Sequence, residues 1–209
     1  EIGSGLVGSE MCIRDSYCMI ANHAIPVVVD AYLKGFNGFD AEEAYTAIKN
    51  SLTVNHPKSN WDIYMKYGYY PFDVIKEESV SRTVESCYDD YCVAQMAKAL
   101  GKYTEYDIFN DRGSWWKNAI NPQNGYAHMR DTTRQFIPDF DPFQSGRDHH
   151  YVEGNSWQLS FFVPQDVPAL IETIGEETFI NRLNWGFEAS EPWRYNAPND
   201  QYWLSLIHI

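Results

Sequence analysis

The stretch from Ser79 to Leu100 constrains the fold most. Val80, Val84, Cys87/Tyr88, Tyr91/Cys92, Met96 and Leu100 recur at three-to-four spacing, and Gly101 supplies a stop. A helix of that length needs partners along one whole face, so the chain is expected to be built from packed helices. Further segments agree. Ala24 to Lys34 is apolar nearly all round, which predicts a helix buried on most sides, with Pro26 in its first turn. Asp40 with Glu43 resembles a capping box, and Ala41, Ala44, Tyr45, Ile48 and Leu52 then form one face. Helices are also predicted over Tyr103 to Asn118, which carries the Trp115-Trp116 pair, over Asp166 to Ile174 and over Glu176 to Phe187.

Long loops separate these helices, at Asn55 to Asn60 and Asn121 to Phe143. Asn124-Gly125 is a hairpin signal and predicts a small β-ribbon in the second loop. Loops of that length in a compact helical domain tend to be functional, and this one holds Arg130, Arg134 and Asp139 as candidate cleft-lining residues. The expected class is mainly all-α, helix hairpins joined by long loops, for which a toroid of hairpins is the analogy.

The net charge of −13 argues against nucleic acid and anionic membrane surfaces as partners, because both are bound through Lys and Arg. No run of about 20 apolar residues is present, so no transmembrane helix is expected. Cys12, Cys18, Cys87 and Cys92 lack zinc-site spacing, and the last two read as small buried residues. Aromatic residues make up 16% of the chain, which suits either a large aromatic core or a carbohydrate cleft. Residues 1–16 show no helical period, no cap and no signal-peptide h-region. They and residues 204–209 are expected to be non-native read-through flanking a native piece over residues 17–203.

One octapeptide points to chemistry: Tyr151-Val152-Glu153-Gly154-Asn155-Ser156-Trp157-Gln158. A carboxyl crowded by Tyr151, Val152 and Trp157 is desolvated and holds its proton towards neutral pH, as a general acid must. Asn155 and Gln158 are suited to hydrogen-bonding sugar hydroxyls or calcium-bound water, or equally to serving as satisfied loop amides. Trp157 is equally suited to a sugar platform or to the core. Gly154 allows close backbone approach. The alternative for Glu153 is a structural, ion-paired carboxylate. Asp89 and Asp90 are adjacent on the long helix and face different ways, so a hydrogen-bonding role is expected rather than that of a paired base. Asp148-His149-His150 is a poor calcium site, because that ion prefers oxygen to imidazole.

Several segments, in order, resemble the catalytic domain of family 92 glycoside hydrolases, the calcium-dependent exo-acting α-mannosidases. They are Asn22 to Gly35, Phe39 to Tyr45, Glu78 to Glu85 with Tyr88-Asp89-Asp90 and Ala94 to Lys98, and Tyr151 to Gln158 leading into Phe162 to Val167. Leu159 stands where the family often has Tyr, and Gln165 where His is common. The resemblance implies a partial (α/α)6 toroid, preceded in the parent by a β-sandwich, in a periplasmic or secreted enzyme of N-glycan processing. It implies removal of terminal α-linked mannose from oligosaccharides with inversion, assisted by Ca²⁺, with Glu153 as the general acid and Asn155, Trp157 and Gln158 near the sugar. The metal ligands stay unassigned. Inversion needs a second carboxylate about 6.5–9.5 Å from the first. The family's Asp for that role lies further along the chain, so this piece alone is expected to be inactive. Two other readings stay open: a carbohydrate-binding helical module without activity, and a toroid glycosidase acting on α-glucosides.

Overall fold

A computed structural model describes residues 20–55, 59–152 and 154–191. Residues 1–16 and 204–209, together with Cys12, Cys18 and Glu153, fall outside the described residues. Helices dominate: α1 (Ala24–Leu33), α2 (Ala41–Ser51), α3 (Trp61–Tyr67), α4 (Ser79–Ala99), α5 (Tyr103–Gly113), α6 (Ser156–Leu159), α7 (Val167–Ile174) and α8 (Glu176–Ser190). Among the described residues one two-stranded sheet occurs, β1 (Ile120–Asn121) antiparallel to β2 (Tyr126–Ala127), with Ile120 opposite Ala127. Gly125 sits at φ +65° in its loop, as the Asn-Gly signal predicts.

The long helix α4 is the axis of the fold. It buries 14 of its 21 residues, including Ser81, Asp89 and Asp90, so it is enclosed on nearly every side. It packs most extensively on α5, then on α1, then on the Trp115–Asn118 turn and α2. The apolar core joins Val80, Val84, Cys87 and Met96 of α4 to Ile25, Val29, Tyr45, Ile48, Tyr64, Phe109 and Trp116. Cys87 and Cys92 are buried thiols without a disulfide, as read from the sequence. The Asp40 carboxylate accepts from the backbone N–H groups of Glu42 (2.9 Å) and Glu43 (3.0 Å), which satisfies two donors that a helix start leaves unpaired.

Two helices differ from expectation. The all-apolar α1 buries Ile25 and Val29 against α4 but leaves Val27 and Leu33 more than half exposed. Only one stripe of it meets a described neighbour. The predicted helix over Tyr103 to Asn118 ends at Gly113, and Trp115–Asn118 continues as a 3-10 turn. Gly113 lies against the Tyr91 backbone, so close that a Cβ there would meet Tyr91 Cα at 3.2 Å. The turn swings Trp116 fully into the core while Trp115 stays half-buried.

Candidate active site

Residues 150–152 and 155–157 are pinned by groups from three directions. From α4, the Ser81 hydroxyl accepts from the Val152 N–H at 2.9 Å, and the Ser81 N–H donates to the His150 carbonyl at 3.4 Å. The Ser79 N–H donates to His150 Nδ1 at 3.4 Å. Burial lowers the His150 imidazole to about 4, aided by His149, so it is neutral near pH 7 and Nδ1 can accept. His150 itself takes φ +68°, an unusual value for a residue with a side chain. From the hairpin, the Ala127 carbonyl accepts the Tyr151 hydroxyl (2.9 Å) and the Ser156 hydroxyl, and the Ala127 N–H donates to Ser160 Oγ (2.7 Å). From the preceding loop, Gly146 accepts the Tyr151 N–H (3.2 Å), Ser145 bridges Asn155, and Pro142 accepts the Trp157 N–H (3.0 Å).

Ser81 belongs to a polar stripe of α4. Glu85 and Asp89 follow at four-residue steps, so all three lie on one side of the helix. Asp89 accepts the Asn22 N–H (2.7 Å) and pairs with His23 Nδ1 (3.1 Å), while Glu85 pairs with His23 Nε2 (3.0 Å). The hydrogen bonds to Asp89 and then Glu85 raise His23 to about 10 against the opposing effect of burial, so it is a cation at neutral pH. Its ring meets Phe162 edge-on, and Phe162 meets Tyr88 in the same way. Asp90 faces elsewhere. It forms a buried ion pair with Arg112 (2.7 Å) and accepts the Tyr64 hydroxyl (3.1 Å). Burial pushes its carboxyl up, opposed by Arg112 and Tyr64. The two adjacent aspartates therefore do not form a catalytic pair, as the helix geometry requires.

A model of the glycosyl hydrolase family 92 catalytic domain matches residues 7–205, nearly the whole chain. The chain belongs to glycosyl hydrolase family 92. A solved family GH92 α-mannosidase from Bacteroides thetaiotaomicron is 39% identical with a TM-score of 0.75, over 80% of this chain and 22% of that one. Its complex with mannoimidazole gives 36% identity and a TM-score of 0.79, over 88% and 24%. A second protein of that organism, described as a family GH92 inverting mannosidase, is 30% identical with a TM-score of 0.76, over 81% and 24%. A curated protein of Arthroderma benhamiae, described as an uncharacterized secreted glycosidase, is 26% identical over 90% of this chain and 29% of its own length. The chain thus spans about a quarter of the length of the relatives it matches. Its fold is a partial (α/α)6 toroid with a small hairpin.

Within this family 92 domain, Glu153 lies outside the described residues, and its neighbours on both sides are the pinned ones above. Asn155 is 1% exposed and caps α6, its side-chain oxygen accepting the Gln158 N–H at 3.1 Å. Gln158 is 4% exposed, and its Oε1 stands 3.0 Å from where a Cβ on residue 154 would be. Gly154 thus makes room for Gln158. Trp157 is 1% exposed, with Phe161 and Trp185 rings at 5.1 and 5.7 Å. It floors a cavity of about 490 Å³ lined also by Tyr126, Phe143, Asn181, Arg182 and Trp185. The Arg182 guanidinium lies on the Tyr126 ring at 3.7 Å and is spent on the Gly125 and Asn124 carbonyls, so it braces the hairpin against α8. Arg130 is likewise structural, donating to the Asn118 and Arg134 carbonyls.

The sequence reading missed Ser81 and His23. The signal for Ser81 was available: a Ser-x3-Glu-x3-Asp stripe along one side of the long helix. The signal for His23 was weaker, because its partners lie more than 60 residues away.

Proposed function

We propose that this chain is part of an exo-acting hydrolase that removes terminal α-linked mannose, with Glu153 as the general acid. The observation that carries the reading is the 39% identity to a protein described as a family GH92 α-mannosidase, maintained over 80% of the chain. The rigid anchoring of the backbone on both sides of position 153 supports it. An acid must be held in one place to transfer a proton to the leaving oxygen. In an inverting reaction Glu153 gives its proton to the glycosidic oxygen as the bond to the anomeric carbon breaks. A second carboxylate takes a proton from the water that attacks the opposite face. The described relative named as an inverting mannosidase favours that stereochemistry. Asn155, Trp157 and Gln158 serve in this reading from behind the sugar, fixing the turn into α6 and the wall of the cleft. Export to the periplasm or the medium is part of the same proposal, supported by the secreted relative.

Calcium dependence rests on the family resemblance. Among the described residues no group of three or more His, Cys, Asp or Glu side chains is arranged to hold a metal ion. The described residues thus offer no ready-made set of such side chains toward the six to eight oxygen ligands that Ca²⁺ takes.

The test uses the full-length protein carrying this domain. Wild type is expected to release mannose from α-mannobiose and not glucose from glucose disaccharides. Glu153→Gln is expected to lower that rate by about 10²- to 10⁴-fold. Chelation is expected to reduce the wild-type rate and added Ca²⁺ to restore it. Preference for glucosides, or full activity of Glu153→Gln, overturns the reading, and indifference to chelator removes the calcium part.

A further inference from the structure

We propose that Ser81 is a positioning residue for proton transfer: it holds the backbone that presents Glu153. The inference rests on Glu153 being the general acid. Ser81 is fully buried in the first turn of α4, where a hydroxyl needs a partner. Its oxygen accepts the Val152 N–H at 2.9 Å, one peptide before residue 153, while its own N–H holds the His150 carbonyl. One residue thus grips the segment at two points, from the most enclosed helix of the fold. Ser79 adds the grip on the His150 ring. The αL backbone of His150 has no glycine to relax it, so the segment needs these contacts to keep its course. On the far side the Tyr151 hydroxyl is tied to the hairpin. Among the described residues the Ser81 hydroxyl is the side-chain acceptor of the Val152 N–H. A methyl group at position 81 would leave that N–H without this acceptor and let the peptide before residue 153 turn.

This role makes a prediction that a purely structural one does not. A glycoside with a 2,4-dinitrophenolate leaving group departs without protonation, whereas mannose leaving from α-mannobiose needs a proton. Misplacing the acid therefore harms the second substrate more than the first. In the full-length protein, Ser81→Ala is expected to lower kcat/KM on α-mannobiose by about tenfold to a hundredfold. Its loss on 2,4-dinitrophenyl α-mannoside should be at least several-fold smaller. The alkaline limb of the pH–rate profile, which reports the acid, should move. Ser81→Thr, which keeps the hydroxyl, should recover the ratio between substrates. Glu153→Gln is measured alongside. If Glu153→Gln discriminates between leaving groups and Ser81→Ala loses equally on both with an unmoved limb, Ser81 is only structural and the inference fails. If Glu153→Gln itself shows no such discrimination, the general-acid assignment fails and the role of Ser81 goes with it.

Discussion

His23 shows how a single side chain can tie two distant parts of the chain. It sits between Asp89 and Glu85 of α4 and anchors the start of α1, with Phe162 against its ring. Its pKa is raised from 6.5 to about 10, so the folded state binds its proton more tightly than the unfolded chain does. The stabilisation is then complete below about pH 6.5 and is lost as pH rises through about 10. The imidazole is 42% exposed, so solvent screening keeps the effect modest. His23→Gln is expected to flatten the fall of melting temperature between pH 7 and 10 relative to wild type, measured by thermal melts in matched buffers. Parallel curves for the two proteins would remove His23 as the cause. That a helical Asp-Asp pair would point in two directions was legible from the 100° step between neighbours. Which groups would meet Asp89 and Asp90 was not, because His23 and Arg112 arrive through tertiary packing that no local pattern encodes.

At the scale of elements, periodicity found α4 and the buried face of α2, capping chemistry found the start of α2, and Gly175 marked the start of α8. The errors lie where packing overrides pattern. Tyr103 to Asn118 reads as one helix, yet Gly113 must lie flat on the Tyr91 backbone, and the chain tightens into a 3-10 turn just beyond. A similar close approach fixes α8 against α6. A Cβ on Gly186 would collide with Trp157 Cη2 and stand 2.7 Å from Cζ2, and the ring is walled in by Phe161 and Trp185. A rigid indole cannot yield as a flexible tip would. Gly186→Ala is expected to destabilise by about 1–3 kcal/mol through overpacking, although alanine favours helix. In a Trp157→Leu background the same substitution should cost far less, because the smaller side chain leaves room. Urea unfolding of the four proteins reads this as a double-mutant cycle, and additive losses would show that the Trp157 contact is not what makes Gly186 necessary.

Across the whole molecule, a catalytic requirement and a packing requirement point to the same outcome. An inverting glycosidase needs two carboxyls across the sugar. The carboxylates on the α4 stripe are committed to His23 and Asn22, and Asp90 is committed to Arg112 and Tyr64, so each of these already holds partners within the fold. A toroid of hairpins also buries each helix between neighbours, whereas Val27 and Leu33 on α1, and Ile180 and Phe187 on α8, lie open on the described surface. Such faces favour association in water. The 209-residue chain by itself is therefore expected to self-associate and to hydrolyse neither α-mannobiose nor 2,4-dinitrophenyl α-mannoside, while the full-length protein turns over both. Size-exclusion chromatography with light scattering and a mannose-release assay on the two proteins check this. A monomeric chain with a cooperative melt would show that α1 and α8 tolerate exposure. Turnover by that chain would mean that a carboxylate within it serves as the base, and the assignment of the second group to another part of the protein would fall.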